Sequence, residues 1–258
     1  ATLERKTADL KIFGGKCSMD RVLKQAEGRY NNMAFQMQEK IHAAVSLFHY
    51  TLLNGNSTTN TNEFDGLDKM LAGASSEFGA SASIDLSTIT KLKTNADQFY
   101  EALQVLIRET EAQALLMNSS MIAKIQTVAR VLGYKTESEE AFGRKVTSID
   151  GVRLIDLRNH YTVASSAATA NPVVKSGISR KIGSASTDTT GLTDIYAVKF
   201  DVNDGFHGVT LTGTSGISQY LPDFSKPGAV KDGEVEMVAA TVLKNTRHAG
   251  VLRNIKIA

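Results

Sequence analysis

The sequence is poor in several residue types, and each shortage excludes a class of protein. It has one cysteine, Cys17, so an internal disulfide and a cysteine-based zinc cluster are both ruled out. No apolar run approaches the ~20 residues of a membrane-spanning helix, and the charged start ATLERKTADLKIF lacks the apolar core of a secretion signal. With only three prolines and no tryptophan as well, we expect a protein made in the cytosol, without membrane association, that depends on packing or assembly for stability.

The charge balance is nearly neutral. Lysines and arginines number 29 against 27 acidic residues, a formal net charge of +2, which provides no footprint for strong nucleic-acid binding. Hydrophobic residues make up 42% and charged residues 22% of the chain, as in ordinary folded proteins. The 258 residues suffice for one large or two modest hydrophobic cores.

The strongest periodic pattern predicts a helix from about Asn31 to Leu53. Its apolar residues recur at steps of three and four, which places them on one buried face. They are Met37, Ile41, Val45, Phe48 and Leu52, with Phe35, Ala44 and Leu53 beside them. Asn54-Gly55 predicts a left-handed helix end, after which a polar loop runs to Glu63 before the apolar residues Phe64 and Leu67.

Two further helices flank a short apolar run. One is predicted from about Asn95 to Glu111, and the other begins at a capping Ser119 or Ser120 and ends at Gly133. The run Ala114 to Met117 between them predicts a buried strand, so helices should cover a sheet. The inward residues are expected to be Phe99, Leu103, Leu106 and Ile107 on the first helix and Ile122, Ile125, Val128 and Leu132 on the second.

The remaining segments favour β-structure. Residues 7–23 predict a strand that breaks at Gly14-Gly15, and residues 146–157 predict a hairpin turning at Asp150-Gly151. A long surface loop is expected over 165–193. Two strands should flank Asn203-Asp204-Gly205, and the alternation at Val251, Arg253, Ile255 and Ile257 predicts that the chain closes with a pair of strands tied into a sheet.

No motif for catalysis, phosphate binding or metal binding is present. His42 and His49 share a helix face but lie about 10 Å apart along its axis, too far for one metal ion. Cys17 has no identifiable partner and is expected to be a small apolar filler. The acidic cluster Glu137, Glu139 and Glu140 predicts a solvated turn. We therefore assign no catalytic, cofactor-binding or metal-binding residue and expect no cofactor.

Several passages in sequence order carry a family resemblance. They are FQMQEKIHAAVSLFHYTLLNGN followed by EFDGLDKML, then AQALLMNSSMIAKI, then FGRKVTSIDGVRLIDL, then DIYAVKFDVNDGFHGVTLTG, and last YLPDFSKPGAVKDGEVEMVAATVLKNTRHAGVLRNI. This succession resembles the major capsid proteins of tailed bacteriophages, which have the HK97-type fold. The resemblance covers about residues 7 to 258, and the closing stretch, which comprises the last two passages, is its most specific part.

The resemblance implies an α+β fold with a long spine helix, a peripheral (P) domain and an axial (A) domain. On that mapping residues 1–28 are a remnant of the E-loop and N-terminal strand region. Residues 29–96 form the P domain with the spine helix, 97–217 the A domain, and 218–258 the strands that return to the P domain. Family members usually carry several tens of residues before a segment like KTADLKIFGGKCSMDRVL, so the arm here is either cleaved, missing from this sequence or reduced.

The resemblance also implies a function. Copies of the chain would assemble as hexamers and pentamers into an icosahedral shell, the capsid of a virion, built in the cytoplasm of a bacterial host. The shell would enclose double-stranded DNA without sequence-specific binding, with portal, scaffold and decoration proteins as further partners and no membrane. Two alternatives stay open: an encapsulin-like compartment with the same fold, or an α+β enzyme whose site involves His207 and Asp204.

Overall fold

The computed structural model describes residues 7–26, 32–134, 137–141, 144–164, 167–213 and 216–258. Helices and strands mix along these segments, as the α+β class predicts. The helices are α1 (Arg21–Ala26), α2 (Asn32–Asn54), α3 (Leu67–Leu71), α4 (Ile89–Thr110) and α5 (Ser119–Leu132), with a 3-10 turn at Thr246–His248. The strands are β1 (Lys11–Asp20), β2 (Glu77–Phe78), β3 (Ile84–Asp85), β4 (Ala114–Met117), β5 (Glu137–Ala141), β6 (Arg144–Ile149), β7 (Val152–Asp156), β8 (Asn159–Ala164), β9 (Ala167–Pro172), β10 (Ile178–Arg180), β11 (Thr189–Val198), β12 (Phe206–Thr210), β13 (Ile217–Tyr220), β14 (Val230–Leu243) and β15 (Ala249–Lys256).

Three sheets are present among the described residues. The first has the order β1-β14-β12, with β13 also paired to β14. The second has the order β2-β15-β11-β4-β7-β6-β5, with β10 on β11 and β3 on β15, and the third is β8-β9 alone. The chain divides into two compact units: the first comprises Ala1–Gly66, Val163–Ala168 and Gly208–Val242, and the second comprises Leu67–Thr162, Thr169–His207 and Leu243–Ala258. The P-domain and A-domain boundaries stay predictions.

The first unit packs helix α2 against strand β1. Three aromatic rings form the centre of the contact: Phe13 meets Phe48 edge-on at 5.5 Å between ring centroids, and Phe64 lies 5.9 Å from Phe13 and 6.0 Å from Phe48. Such edge-to-face pairs stabilise a core beyond simple area burial. The core thus joins helix α2, strand β1 and Phe64, the first apolar residue after the polar loop.

Helix α2 confirms the main prediction, although its expected start at Asn31 lies outside the described residues. The buried face is shifted slightly from the predicted one. Ile41, Val45, Phe48 and Leu52 are only half-buried, and Phe35 is 62% exposed. The deepest residues are Met33, Met37, Ala44, Thr51 and Leu53.

The second unit confirms the helix–strand–helix prediction. All four predicted inward residues of α4 are buried, and so is every residue of β4. Helix α5 ends at Gly133, whose φ of 78° is left-handed as expected. Its start differs from the prediction, because the Asn118 side chain, not Ser119 or Ser120, caps the helix by accepting a hydrogen bond from Met121 N at 2.9 Å. Asparagine is as good a capping residue as serine, so composition did not separate them.

Two predictions about the backbone conformation at glycines were wrong. Strand β1 runs through Gly14-Gly15 without a break, and a Cβ on Gly14 would lie 1.9 Å from Val235 O, so the glycine permits a close approach between paired strands. Helix α2 does end at Asn54, but Gly55 is not left-handed. A Cβ there would lie 2.3 Å from Phe64 O, so this glycine also serves close packing.

Several β predictions need correction in their pairing. The hairpin at Asp150-Gly151 is confirmed, since both residues have positive φ (50° and 76°) and Ile149 pairs with Val152. The expected surface loop at 165–193 instead includes β9, β10 and the start of β11. The acidic segment predicted as a turn is the backbone of β5, paired with β6.

The strands predicted on either side of residues 203–205 exist as β11 and β12, but they lie in different sheets. The closing strands β14 and β15 likewise belong to different sheets and do not pair with each other. Sequence neighbours pair only about two-thirds of the time, and these are exceptions that alternation alone does not reveal.

Candidate functional site

The residues weighed for chemistry in the sequence lie apart. His42 is exposed and His49 half-buried on α2, where burial lowers the pKa of His49. The Cys17 thiol is buried in the first unit, with Sγ 3.2 Å from Met37 Sδ and 3.6 Å from Gly233 O. It is packed among apolar neighbours, as predicted for a filler residue. No group of three metal-ligating side chains occurs in the part of the chain that the structure describes.

His207 and Asp204, the pair named for an enzyme, make separate contacts. The Asp204 carboxylate lies 3.1 Å from Nε2 of His248, while Nδ1 of His207 is buried without a hydrogen-bond partner among the described residues. Glu111 lies on the other side of His248, with its carboxylate 4.0 Å from Nδ1, and accepts a 2.6 Å bond from Lys199 Nζ. That bond lowers the pKa of Glu111 and raises the pKa of Lys199. The result is a surface ion cluster.

The densest polar constellation is centred on Arg253 in strand β15. Its Nε donates to Glu77 Oε1 at 2.7 Å, and its Nη1 donates to Asp68 Oδ1 and, at 3.1 Å, to Asp194 Oδ2. The Arg253 side chain is 7% exposed and that of Asp194 1%. Arg180 completes the cluster with two bonds to Asp194, at 2.8 and 2.7 Å. Buried charges are tolerated only when paired in this way.

A bulge in the sheet creates this cluster. Between the pairs Thr193↔Ile255 and Ile195↔Leu252, one residue of β11, Asp194, faces two residues of β15. Asn254 takes up the extra length in a left-handed conformation with φ of 62°. Its backbone N donates to Asp194 Oδ1 at 3.0 Å, and its side chain donates to Gly79 O at 3.0 Å. Bulges of this kind re-aim side chains, and here one directs charged groups into the interior.

The electrostatics of the cluster favour fixed charges. Burial alone would raise the pKa of Asp68, but the Arg253 guanidinium and hydrogen bonds from Arg253 and Tyr196 lower it overall. Burial and the neighbouring carboxylates raise the pKa of Tyr196, whose hydroxyl donates to Asp68 Oδ1 at 2.8 Å. The pKa of Arg253 is raised by Tyr196 and the carboxylates against the opposing effect of burial. Every charge in the cluster has a partner. The cluster is therefore better suited to stabilising the fold than to transferring protons.

The sequence reading missed this cluster. It assigned Arg253 to a regular alternation, but all seven residues from Ala249 to Ile255 are buried and the bulge breaks the alternation. The available signal was the dipeptide Arg253-Asn254 inside an otherwise apolar strand, since buried polar residues need specific partners.

Exposed apolar side chains are a second feature, and they occur in both units. The first unit has a groove of about 400 Å³ lined mainly by Met33, Met37, Ile41, Leu221, Pro222 and Phe224, with the Lys24 ammonium 3.8 Å from the centre of the Phe224 ring. Large exposed side chains in this unit include Ile12, Val22, Phe35, Tyr220, Leu221 and Val230, and in the second Ile89, Tyr134, Tyr161, Phe200 and Val202. Among the described helices, none combines the length and apolar character needed to cross a membrane.

Comparison with known proteins gives matches in structure and not in sequence. No protein-family model matches the chain, and no curated protein matches it. The holo-SrpI encapsulin complex from Synechococcus elongatus PCC 7942 aligns over 96% of this chain and 74% of its own, with a TM-score of 0.62 at 13% identity. The capsid of the native GTA particle aligns over 98% of this chain and 75% of its own, with a TM-score of 0.52 at 12% identity.

The chain has the HK97-type capsid fold. The HK97-type fold accounts for the order of elements described above, from the long helix α2 to the buried strand β15. It confirms the fold that the sequence resemblance implied. At 12 and 13% identity these alignments establish a shared fold. They do not assign the activity of the aligned proteins to this chain.

Proposed function

We propose that this chain is a structural subunit that assembles with copies of itself into a closed icosahedral shell, as the major capsid protein of a tailed double-stranded DNA bacteriophage or prophage. The observation that carries the proposal is the HK97-type fold, which extends over at least 96% of the chain in both alignments. The ordered sequence resemblance to tailed-phage capsid proteins supports the viral form of the shell.

The surface supports an assembling protein. Phe35, Val202 and Leu221 are 62, 68 and 73% exposed, although each is a large apolar side chain that gains free energy from burial. Large obligate interfaces are more apolar than ordinary surface, and neighbouring subunits would bury such residues. We propose a structural and not a catalytic role, because the densest polar cluster has all its charges paired.

On this proposal the subunits form hexamers and pentamers in the cytoplasm of a bacterial host, with portal, scaffold and decoration proteins as further partners. The finished shell is the capsid of the virion. A formal net charge of +2 suits an enclosure for double-stranded DNA, since a strongly basic lining would bind the phosphates tightly and without sequence preference.

An encapsulin-like compartment is the second candidate. Its specific support is the TM-score of 0.62 with the holo-SrpI encapsulin complex, compared with 0.52 for the GTA capsid. The two candidates share the shell and differ in what the shell encloses.

Electron microscopy of the expressed full-length protein, with its scaffold where one is encoded, tests the shell. Closed particles of uniform size are expected, and a protein that stays monomeric under every assembly condition contradicts the proposal. Particle contents then separate the candidates. Nuclease-resistant double-stranded DNA in particles from the native host supports a phage capsid, whereas a co-purifying protein cargo without DNA supports a compartment.

A further inference from the structure

Strands β8 and β9 form a ribbon, defined here as residues 159–164 and 167–172, that belongs to neither larger sheet. Tyr161 and Thr162 on one strand are exposed, and so are all four residues from 167 to 170 on the other. A strand that covers a core alternates between buried and exposed positions, because successive side chains point to opposite faces. Four consecutive exposed residues therefore show that this segment of the ribbon has both faces uncovered.

The ribbon is fixed at its base. Val173 and Val174, which follow it directly, are 0 and 2% exposed, and Val173 N donates to Arg158 O at 2.9 Å. Asn171 Nδ2 bonds across the ribbon to Thr162 Oγ1 at 3.1 Å. Beyond this base the described side chains at 161, 162 and 167–170 are all exposed, and an isolated two-stranded sheet is only marginally stable in water.

Composition indicates what covers the ribbon. Residues 159–174, NHYTVASSAATANPVV, contain no aspartate, glutamate, lysine or arginine. In a chain with 22% charged residues, a stretch of this length would ordinarily carry roughly three or four. Solvent-exposed strands are usually protected by lysine or other charges, whereas the centres of protein interfaces are depleted of them. Alanine and threonine side chains on the ribbon also let another backbone approach closely.

We infer that the ribbon is an assembly element, covered in the shell by a second copy of this chain. The inference rests on the proposed function, which supplies the neighbouring copy. Each strand is about 20 Å long, so the two faces together offer on the order of 400 Å² per subunit. In a closed ring every subunit donates one ribbon and receives one, so the ribbon contributes on the order of 800 Å² in total to each interface between neighbours, about half of a standard interface, and other surfaces supply the rest.

Charge insertion tests the assignment. Thr169 and Ala170 are adjacent, exposed and on opposite faces, so Thr169→Glu with Ala170→Glu places one charge on each face. Ala82→Glu with Ser83→Glu is the matched control, since these exposed neighbours lie in a loop of the second unit, just before β3. We expect the ribbon variant to lower particle yield at least ~100-fold, because it buries unpaired charges, and the control to assemble as the unmodified chain does.

The outcomes are distinct. If the unmodified chain forms no particles, the proposed function fails. If particles form and the ribbon variant assembles normally, or if both variants lose assembly equally, the ribbon assignment is overturned.

Thiol labelling provides a readout for a variant that assembles. In Ala170→Cys the other thiol, Cys17, is buried, so a maleimide reports on position 170. Labelling more than about tenfold slower in particles than in dissociated subunits supports the inference, and equal rates overturn it.

Discussion

Gly66 N donates a 2.8 Å hydrogen bond to Gly55 O, and this bond closes the base of the polar loop after helix α2. Within the loop, Glu63 accepts from Asn56 N at 3.1 Å and from Asn60 Nδ2 at 2.9 Å, and Asp65 accepts from the Ser57 hydroxyl at 2.6 Å. These polar side chains therefore form hydrogen bonds within the loop itself. A segment that looks unstructured by composition is a compact, internally bonded loop.

Gly66→Ala should destabilise the first unit. A Cβ on Gly66 would lie 2.6 Å from both Gly55 N and Leu53 O, so backbone would have to move. We expect the free energy of unfolding to fall by about 1–3 kcal/mol, as for overpacked cores, in a chemical denaturation experiment. Gly208→Ala is the control, since its new Cβ would come no closer than 3.9 Å to Ala240 O and should change stability by less than about 0.5 kcal/mol.

Arg253→Met should destabilise the second unit more severely. The substitution keeps side-chain bulk but leaves the buried Asp194 with one fewer cation and removes the guanidinium paired with Glu77. Breaking a buried pair from one side typically costs about 3–5 kcal/mol, which denaturant titration would measure. The exposed Arg247 on the neighbouring 3-10 turn supplies the control, and a loss from Arg247→Met as large as that from Arg253→Met would contradict the role assigned to the cluster.

Asp85 should make stability depend on pH in the acid range. Against the effect of burial, hydrogen bonds from Lys91 and Ser87 lower the pKa of Asp85 to about 2 from an ordinary 3.8. The unfolded chain then binds a proton that the folded one does not, so stability is present above pH 3.8 and is lost as the pH falls toward 2. Because the Lys91 partner is half-exposed, we expect a loss of only roughly 1 kcal/mol.

Denaturation curves between pH 5 and about 2 check this, and Asp85→Asn should flatten that part of the profile. Asp97→Asn, at an exposed position on α4, should leave the profile unchanged. An Asp85→Asn profile identical to that of the unmodified chain would show that Asp85 is not the group responsible.

Phe48→Asp should abolish the folded first unit. The Phe48 ring lies 5.5 Å from Phe13 and 6.0 Å from Phe64, so the change places an unpaired charge in the aromatic core. Circular dichroism and size-exclusion chromatography would report the loss. Phe35→Asp, on the same helix but at a 62% exposed position, should leave the subunit folded. A folded Phe48→Asp protein would show that this helix face is placed wrongly.

The sequence predicted the helices well because their signals are local. The apolar steps of α4 and the Gly133 terminus depend on residues within a turn or two, and both are confirmed. Strand partners depend on distant residues. Lys11 pairs with Ala239, and no pattern within either segment specifies the other.

The Arg253 cluster was beyond prediction for a related reason. Its members Asp68, Glu77, Arg180, Asp194 and Arg253 come from five separated segments, and each alone resembles a surface charge. The prediction for Gly55 was wrong for a different reason. An Asn-Gly pair after a helix predicts a left-handed end, and the sequence gives no sign that the site is crowded.

The position of β15 in its sheet determines how early during synthesis the second unit can complete its fold. This strand lies between β2 and β11 and carries the arginine that binds acidic groups from three other segments. While the ribosome is still translating residues 249–256, the second unit lacks the strand between β2 and β11. In the first unit, β1 and its partner β14 are separated by more than two hundred residues of sequence. Such distant pairings fold slowly, so we expect the cores of both units to be complete only after residue 256 has left the ribosome.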